Sequence, residues 1–249
     1  MHPVPSLAAQ ATLTVSDLVL AQVDRTVLAG LSGRFMPGSA TAVLGPNGIG
    51  KSTLLAALAG RLSPVAGRIE RRADARVAEL RQDDAVDRRF PIHLHGYVAT
   101  GLWPRLGAWR GVGAAERRAI ADVLARLDLD ALADLPLSAL SAGQWQRARL
   151  ARVWLQDADL LLLDEPYTAL DQAASERLDE LLRQALAQGR TVVAVLHERH
   201  QLPALFDAAL VLQADAAGGP SRARSWGAVP MPVLAPARAP QATAWPCAA

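Results

Sequence analysis

Short apolar runs alternate with amphipathic stretches along most of this chain. Ala40–Leu44 and residues 160–163 and 191–196 are almost wholly apolar, which is typical of strands buried on both faces of a sheet. Residues 12–20 and 26–35 are rich in residue types that favour strands. Because buried strands that alternate with helices usually form a parallel sheet, the pattern predicts an α/β core.

Helical periodicity separates these runs. Residues 83–157 contain few β-branched runs and several amphipathic stretches, so we expect a helical insertion between two core strands. Residues 68–81 are expected to hold one or two short strands, and Ala208–Gln213 a last one. The predicted helices are residues 51–61, 114–127, 143–156 and 172–188.

The composition changes after Gln213. Six of the 16 prolines lie between Pro220 and Pro246, among alanine, glycine and arginine. Such a stretch offers little apolar surface for a packed core, so residues 214–249 are expected to form a flexible or loosely docked Pro/Ala-rich tail.

Composition and charge argue against several classes of protein. No apolar run approaches the roughly 20 residues of a membrane-spanning helix, and residues 1–10 lack the basic start and apolar centre of a signal peptide. The formal net charge is +2, and no basic stripe with interleaved aromatics indicates a nucleic-acid partner. The single cysteine, Cys247, forms no internal disulfide. We therefore expect a cytoplasmic chain that reaches a membrane only through a partner.

One basic residue differs from all the others. The chain has 26 lysines and arginines, and Lys51 is the only lysine among them. Arginine is a planar fork, whereas lysine is a compact point charge on a flexible stem. The site around Lys51 is therefore expected to need the shape of an ammonium group.

Residues 45–53 match the phosphate-binding pattern G-x-x-x-x-G-K-[ST]. They follow a predicted strand and begin a predicted helix, which is the context that the pattern requires. Glycines let backbone N–H groups wrap phosphates, and the helix start adds a partial positive charge. Lys51 is expected to reach the β- and γ-phosphates, and the Ser52 hydroxyl to bind magnesium. The predicted nucleotide-binding residues are Gly45, Pro46, Asn47, Gly48, Ile49, Gly50, Lys51, Ser52 and Thr53.

Two acidic residues follow the apolar run at residues 160–163. Asp164 is expected to hold the magnesium shell, and Glu165 to orient or deprotonate the attacking water. Apolar strands often end in acids, so this pair gains its significance from the phosphate loop earlier in the chain.

A third motif, Leu140-Ser141-Ala142-Gly143-Gln144, comes directly before a predicted helix. A serine and backbone N–H groups at a helix start can face an anion, but Ser141 could equally cap the helix. Together with the two preceding motifs, it resembles the ATP-binding cassette (ABC) ATPases, whose usual signature has glycine where this chain has Ala142. The resemblance covers roughly residues 12–213.

The resemblance implies roles for further residues. Gln82 is expected to contact magnesium and water, His197 to sense the γ-phosphate, and Ala169-Leu170-Asp171 to link two subunits. One departure concerns Gln22, which stands where the family usually has an aromatic residue that stacks on adenine. The signature residues expected to bind the nucleotide of the partner subunit are Ser141, Gly143 and Gln144.

The resemblance also implies the fold, the cofactors and the partners. Residues 10–213 are expected to form an α/β P-loop NTPase fold of the ABC ATPase type, with a helical subdomain at about 83–157 and a small antiparallel β subdomain. The expected cofactors are ATP and Mg²⁺. ATP is expected to close a head-to-tail dimer of two copies, which would drive integral membrane permease subunits, and an extracytoplasmic solute-binding protein is a further expected partner. The chain is thus expected to be peripheral, on the cytoplasmic side of the cell membrane.

The segment after Gln82 favours one substrate class. Phe90-Pro91 and Gly101-Leu102-Trp103 resemble the ATPase subunits of manganese and zinc importers, so the leading hypothesis is an ATPase that energises import of a divalent metal ion. The alternatives are a transporter of another substrate, such as an iron chelate, and a soluble ABC ATPase not coupled to transport. A P-loop kinase would leave residues 169–171 and His197 unexplained.

Overall fold

The computed structural model describes residues 11–23, 25–82, 86–107, 111–196, 204–214 and 220–228, with only the backbone for 223–228. Within these residues the strands form two sheets. The strands, in chain order, are β1 (Leu13–Gln22), β2 (Arg25–Phe35), β3 (Ala40–Leu44), β4 (Ala66–Arg71), β5 (Val77–Leu80), β6 (Leu160–Asp164), β7 (Thr191–Val195), β8 (Ala208–Gln213) and β9 (Arg222–Ala228).

The larger sheet has the strand order β5-β6-β7-β3-β8-β9. Its first five strands run parallel, and β9 pairs antiparallel with β8. Every residue of β3, β6 and β7 is buried, as their almost wholly apolar sequences predicted. The expected parallel α/β core is therefore confirmed.

The smaller sheet is antiparallel and has the order β2-β1-β4. Its strands β1 and β2 pair from Leu13 with Phe35 to Gln22 with Arg25. This sheet is the small antiparallel β subdomain that the family resemblance implied. Its tip, next to Gln22, comes close to the loop after β3, as described below.

Helices occupy the connections between strands. The described residues between β5 and β6 form four α-helices, which agrees with the inserted helical subdomain that the family resemblance implied; its bounds at about 83–157 stay a prediction. Among the described residues, no helix has both the length and the apolar character that crossing a membrane requires. The α-helices are α1 (Lys51–Leu58), α2 (Leu94–Ala99), α3 (Trp103–Leu106), α4 (Ala114–Arg126), α5 (Ala142–Trp154) and α6 (Gln172–Ala187), and short 3₁₀ helices span Thr100–Leu102, Asp130–Leu132 and Leu137–Ala139.

Two apolar cores lie on the two faces of the central sheet. Along β3, Ala42 and Leu44 belong to one core and Val43 to the other, because successive side chains of a strand point to opposite faces. The first core packs α4, α5 and α6 against the sheet, and the second packs α1 together with β1 and β2. Both cores meet at β3, so the loop after its carboxyl end is anchored from two sides.

Strand β9 differs from the sequence-based expectation. Arg222–Ala228 lie in the stretch that we expected to be a flexible or loosely docked tail, yet they form a strand along the edge of the central sheet. Residues of low strand propensity, alanine and glycine among them, adopt this conformation because β8 offers an open row of backbone donors and acceptors. Propensity alone therefore missed a strand that tertiary pairing creates.

Candidate functional site

The predicted phosphate loop lies between the carboxyl end of β3 and the start of α1. Gly48 and Gly50 have positive φ angles of 75° and 105°, which glycine adopts without steric cost. A Cβ at Gly50 would lie 2.6 Å from Cγ1 of Val27 on β2, so a side chain there would collide with the smaller sheet. The loop thus needs glycine for its backbone angles and for its contact with β2.

Lys51 is the first residue of α1 and is only 6% exposed. Its Nζ donates hydrogen bonds to the carbonyl oxygens of Gly45, at 2.8 Å, and Pro46, at 3.0 Å. Burial lowers the pKa of Lys51, and the nearby carboxylates of Glu165 and Asp164 oppose this shift. The ammonium is therefore held within the loop, where nucleotide phosphates would compete with two carbonyl oxygens for it.

The loop faces a cleft of about 760 Å³, a volume within the usual range for small-molecule sites. Gln22 and Arg25, which pair at the ends of β1 and β2, form part of one wall, and Gln82 and Glu165 contribute from the larger sheet. Polar groups therefore converge on the phosphate loop from both sheets. The described lining residues are Gln22, Arg25, Thr26, Val27, Pro46, Asn47, Gly48, Ile49, Gly50, Lys51, Ser52, Thr53, Gln82, Glu165, Ala214, Pro220 and Ser221.

The three residues predicted to hold magnesium, Ser52, Gln82 and Asp164, line a second cavity of about 350 Å³ that shares four residues with the cleft. Oδ1 of Asp164 is buried and lacks a hydrogen-bond partner. Burial raises the pKa of Asp164, and a hydrogen bond with Ser52 opposes this shift. Proteins usually hold Mg²⁺ with one or two carboxylates together with substrate phosphates. A buried carboxylate oxygen beside a hydroxyl therefore fits a magnesium ion shared with a nucleotide.

Within the described ranges, no group of three or more histidine, cysteine, aspartate and glutamate side chains could hold a metal ion by itself. A cation at Asp164 would thus need ligands from outside these residue types. The phosphates of a nucleotide and the Ser52 hydroxyl supply such oxygen ligands. The donor set therefore suits a cation that enters with a phosphate-bearing molecule.

Glu165 follows β6 directly and has a positive φ of 51°, which is uncommon for residues other than glycine. Its Oε1 accepts a hydrogen bond from Nε2 of Gln82, and its Oε2 accepts one from Oγ1 of Thr168, both at 3.3 Å. Its backbone N–H donates to the carbonyl oxygen of Val195 at 3.2 Å. These contacts fix the carboxylate at the cleft, and they bring together Gln82, expected to contact magnesium and water, and Glu165, expected to orient or deprotonate the attacking water.

The third motif forms the start of α5. The N–H of Gln144 donates to Oγ of Ser141 at 3.2 Å, and the N–H of Ser141 donates to Oε1 of Gln144 at 2.8 Å. This reciprocal pair is a capping box, so the capping role considered for Ser141 is present. Ser141, Gly143 and Gln144 are not among the described residues that line the cleft of the same chain. A Cβ at Gly143 would lie 2.7 Å from the carbonyl oxygen of Ala169, so this motif packs beside residues 169–171.

The sequence analysis also assigned roles to His197 and Asp171. His197 lies outside the described residues, and its expected role as γ-phosphate sensor stays a prediction. Asp171 caps α6, because its Oδ1 accepts a hydrogen bond from the N–H of Ala174 at 2.8 Å. Its place before α6 agrees with the predicted helix start, and its expected contact with a second subunit also stays a prediction.

Sequence reasoning missed a buried polar network on α5. Nε2 of Gln146 donates to the carbonyl oxygens of Glu165, at 3.2 Å, and Pro166, at 3.1 Å. Arg149 donates to Oε1 of Gln146 at 2.9 Å and to the carbonyl oxygen of Arg81. One feature of the sequence could have indicated this network: two polar residues lie three positions apart on the apolar face of a predicted helix. The network ties α5 to Glu165 and to the residue that precedes Gln82.

Known proteins resemble this chain in sequence. The sequence profile of the ABC transporter family matches residues 28–168. The zinc transport system ATP-binding protein TroB of Treponema pallidum is 36% identical, over 80% of this chain and 77% of TroB. The manganese transport system ATP-binding protein MntB of Listeria innocua is 30% identical, over 80% of this chain and 86% of MntB. The cytochrome c biogenesis ATP-binding export protein CcmA of Hyphomonas neptunium is 36% identical, over 80% of this chain and 96% of CcmA.

A solved structure also resembles the chain in fold. It is described as a metal-chelate type ABC transporter in an inward-facing conformation, and its matching chain superposes with a TM-score of 0.74. The two sequences are 28% identical, and the match covers 88% of this chain and 84% of the other. This chain therefore shares its overall fold with a chain of an ABC transporter.

Proposed function

Because this chain belongs to the ABC transporter family, we propose that it is the ATP-hydrolysing subunit of an importer for a divalent metal ion, zinc or manganese. One observation carries the enzymatic part of this proposal. The phosphate loop and a fixed carboxylate of Glu165 line one cleft, and a buried and unpartnered carboxylate oxygen of Asp164 lies at the adjoining cavity, which shares Ser52 and Gln82 with that cleft. These are the groups that phosphoryl transfer to water needs: a cradle, a magnesium ligand and a residue that orients water.

The residues of this cleft and of the adjoining cavity have separate roles in hydrolysis. Lys51 leaves its two loop carbonyls for the β- and γ-phosphates, where its charge offsets theirs. Ser52 and Asp164 would hold Mg²⁺, which neutralises negative charge on the phosphates when it is bound. Glu165 orients the attacking water or takes up its proton, and Gln82 holds the Glu165 carboxylate from one side.

We propose that a second copy of the chain supplies the signature residues that complete each nucleotide site. Ser141 is exposed on its own subunit, and the start of α5 is not among the described residues lining the cleft of that subunit. In a head-to-tail dimer, Ser141, Gly143 and Gln144 would face the γ-phosphate held by the other copy, with the positive end of α5 directed at it. In that dimer Ser141 both caps its helix and contacts the phosphate.

A trans-complementation experiment tests this shared site. Lys51→Ala removes the phosphate loop function of one copy, and Ser141→Arg blocks the signature of the other. Each variant alone is expected to be inactive, whereas an equal mixture should regain about a quarter of wild-type turnover, since half of the dimers are mixed and each has one intact site. ATPase activity of the mixed proteins measures this. Activity that stays at the level of the separate variants would contradict a site made by two copies.

The permease side of the transporter is proposed to contact the helical insertion. Phe90 and Trp103 are large apolar residues there, and they are 62% and 59% exposed. Exposed apolar residues near a nucleotide site suit contact with another protein. Through these residues the insertion would couple the closing of the cleft to integral membrane subunits, with a solute-binding protein delivering the substrate from outside.

The relatives TroB and MntB, named for zinc and manganese transport, support a divalent metal ion as the substrate. We expect that a strain lacking this subunit loses most of its high-affinity uptake of radioactive zinc or manganese, and that the wild-type chain restores uptake whereas Glu165→Gln does not. Uptake of an iron chelate under the same conditions tests the second candidate, which the resemblance to a metal-chelate type transporter favours. Unchanged uptake of both metal ions with lost uptake of the chelate would overturn the first candidate.

A further inference from the structure

Ser221 connects the phosphate loop to the smaller sheet, although it lies in the stretch expected to be a tail. It is buried, at 7% exposure, and it lines the cleft just before β9. Its Oγ donates a hydrogen bond to the carbonyl oxygen of Ile49 at 2.8 Å. Its backbone N–H donates to the carbonyl oxygen of Val27, and its carbonyl oxygen accepts from the N–H of Ala29, both at 2.9 Å.

The contact with Ile49 determines the orientation of one peptide group of the loop. A carbonyl oxygen can only accept a hydrogen bond, so the serine hydroxyl is the donor. In a trans peptide the C=O of one residue and the N–H of the next point in opposite directions, and no cis peptide occurs among the described residues. When Ser221 holds the Ile49 carbonyl, the N–H of Gly50 must therefore point away from Ser221.

The peptide group between Ile49 and Gly50 is prone to rotate when no hydrogen bond holds its carbonyl oxygen. Gly50 has a φ of 105°, and glycine crosses between backbone regions at low cost. A side chain that would restrict it is excluded, because a Cβ at Gly50 would lie 2.6 Å from Val27. A rotated peptide would present the Ile49 carbonyl oxygen, a partial negative charge, in place of an N–H donor for a phosphate. The restraint must therefore come from outside the loop.

We propose that Ser221 is a positioning residue for the phosphate loop, whose hydroxyl keeps the Gly50 N–H directed at the nucleotide phosphates. Ser221, just before β9, is thereby a functional part of the nucleotide site. This inference rests on the proposed ATPase function, and it adds a residue outside the three motifs on which that function was built. Ser221 acts through Ile49 and Gly50, and it need not touch the nucleotide.

The test compares Ser221→Ala with Ser221→Thr in the full chain. The alanine variant keeps both backbone hydrogen bonds and loses only the hydroxyl, so it is expected to weaken ATP binding about tenfold, the usual scale for a buried carbonyl left without its donor. The threonine variant restores a hydroxyl and is expected to bind ATP within about twofold of the wild type. Arg222→Ala, at the exposed neighbouring position, is the control and should bind ATP like the wild type.

Inorganic triphosphate, which has no base, separates this role from a contact with adenine, and thermal unfolding without nucleotide separates it from a general loss of stability. Its ability to compete with a fluorescent ATP analogue should fall by the same factor as ATP binding in Ser221→Ala. Two outcomes overturn the inference: unchanged triphosphate affinity in the alanine variant, whether or not ATP binding falls, or an equal loss in the alanine and threonine variants. If the wild type itself fails to bind ATP, the proposed function fails instead.

Discussion

Replacing Glu165 with glutamine is expected to slow steady-state ATP hydrolysis by about 100-fold or more, the scale of a lost general base, and to leave ATP binding intact. Glutamine keeps the size of the side chain and still offers an oxygen to Gln82 or Thr168. Its amide cannot take a proton from water, so the reaction stalls with ATP in place. Because hydrolysis is what reopens the proposed dimer, the ATP-bound dimer should accumulate.

Phosphate release and size-exclusion chromatography in magnesium-ATP together measure this result. Glu180→Gln is the matched control, since Glu180 lies on α6 with a side chain that is 79% exposed, and it should hydrolyse ATP like the wild type. A Glu165→Gln protein that elutes only as a monomer with bound ATP would count against the shared site. Turnover within a few-fold of the wild type would remove Glu165 from the chemistry.

Replacing Lys51 with alanine is expected to reduce ATP affinity by about 100-fold or more, because a charge-assisted hydrogen bond to phosphate is lost in a buried site. Lys51→Arg should also bind poorly, since a planar guanidinium cannot take the path of the ammonium through the loop to Gly45 and Pro46. Titration with a fluorescent ATP analogue measures both. The arginine variant thus tests whether shape, and not charge alone, explains the single lysine.

Arg68→Ala serves as the control for loss of a positive charge, because its side chain is 69% exposed on the smaller sheet. Its ATP affinity should equal that of the wild type. Thermal unfolding of Lys51→Ala without nucleotide separates lost binding from lost structure, since removal of the ammonium leaves two loop carbonyls without their donor. Nucleotide affinity close to the wild type in a folded Lys51→Ala protein would refute the assignment of the loop.

The parts of this fold that the sequence predicted are those set by local patterns. Ala40–Leu44 and Ala208–Gln213 form strands with the predicted bounds, because an apolar run or a short β-rich segment specifies a buried strand by itself. The start of α1 at Lys51 was predicted because the phosphate-loop pattern includes the residue that begins the helix. Its end was placed too late, since Gly60, with a φ of 81°, follows the helix.

The parts that sequence reasoning missed depend on distant pairing. Ser221 contacts Ile49 across 172 positions of the chain, and β9 exists because β8 has an open edge. On α5, Gln146 donates a hydrogen bond to the carbonyl oxygen of Glu165, and Arg149 donates one to the carbonyl oxygen of Arg81. No local sequence pattern predicts these contacts. Ser141 illustrates a different limit: the same serine satisfies a helix cap and a phosphate contact, so one chain alone displays only the cap.

The only lysine of this chain is also one of its buried residues. A protease specific for lysine could therefore cut the chain at a single bond, after Lys51, and only when the start of α1 opens locally. The cut would leave two fragments, residues 1–51 and 52–249. With limiting protease, the rate of cutting would follow the population of the open nucleotide loop, and a bound nucleotide would slow it. The natural sequence thus contains its own proteolytic reporter for the state of the ATP site.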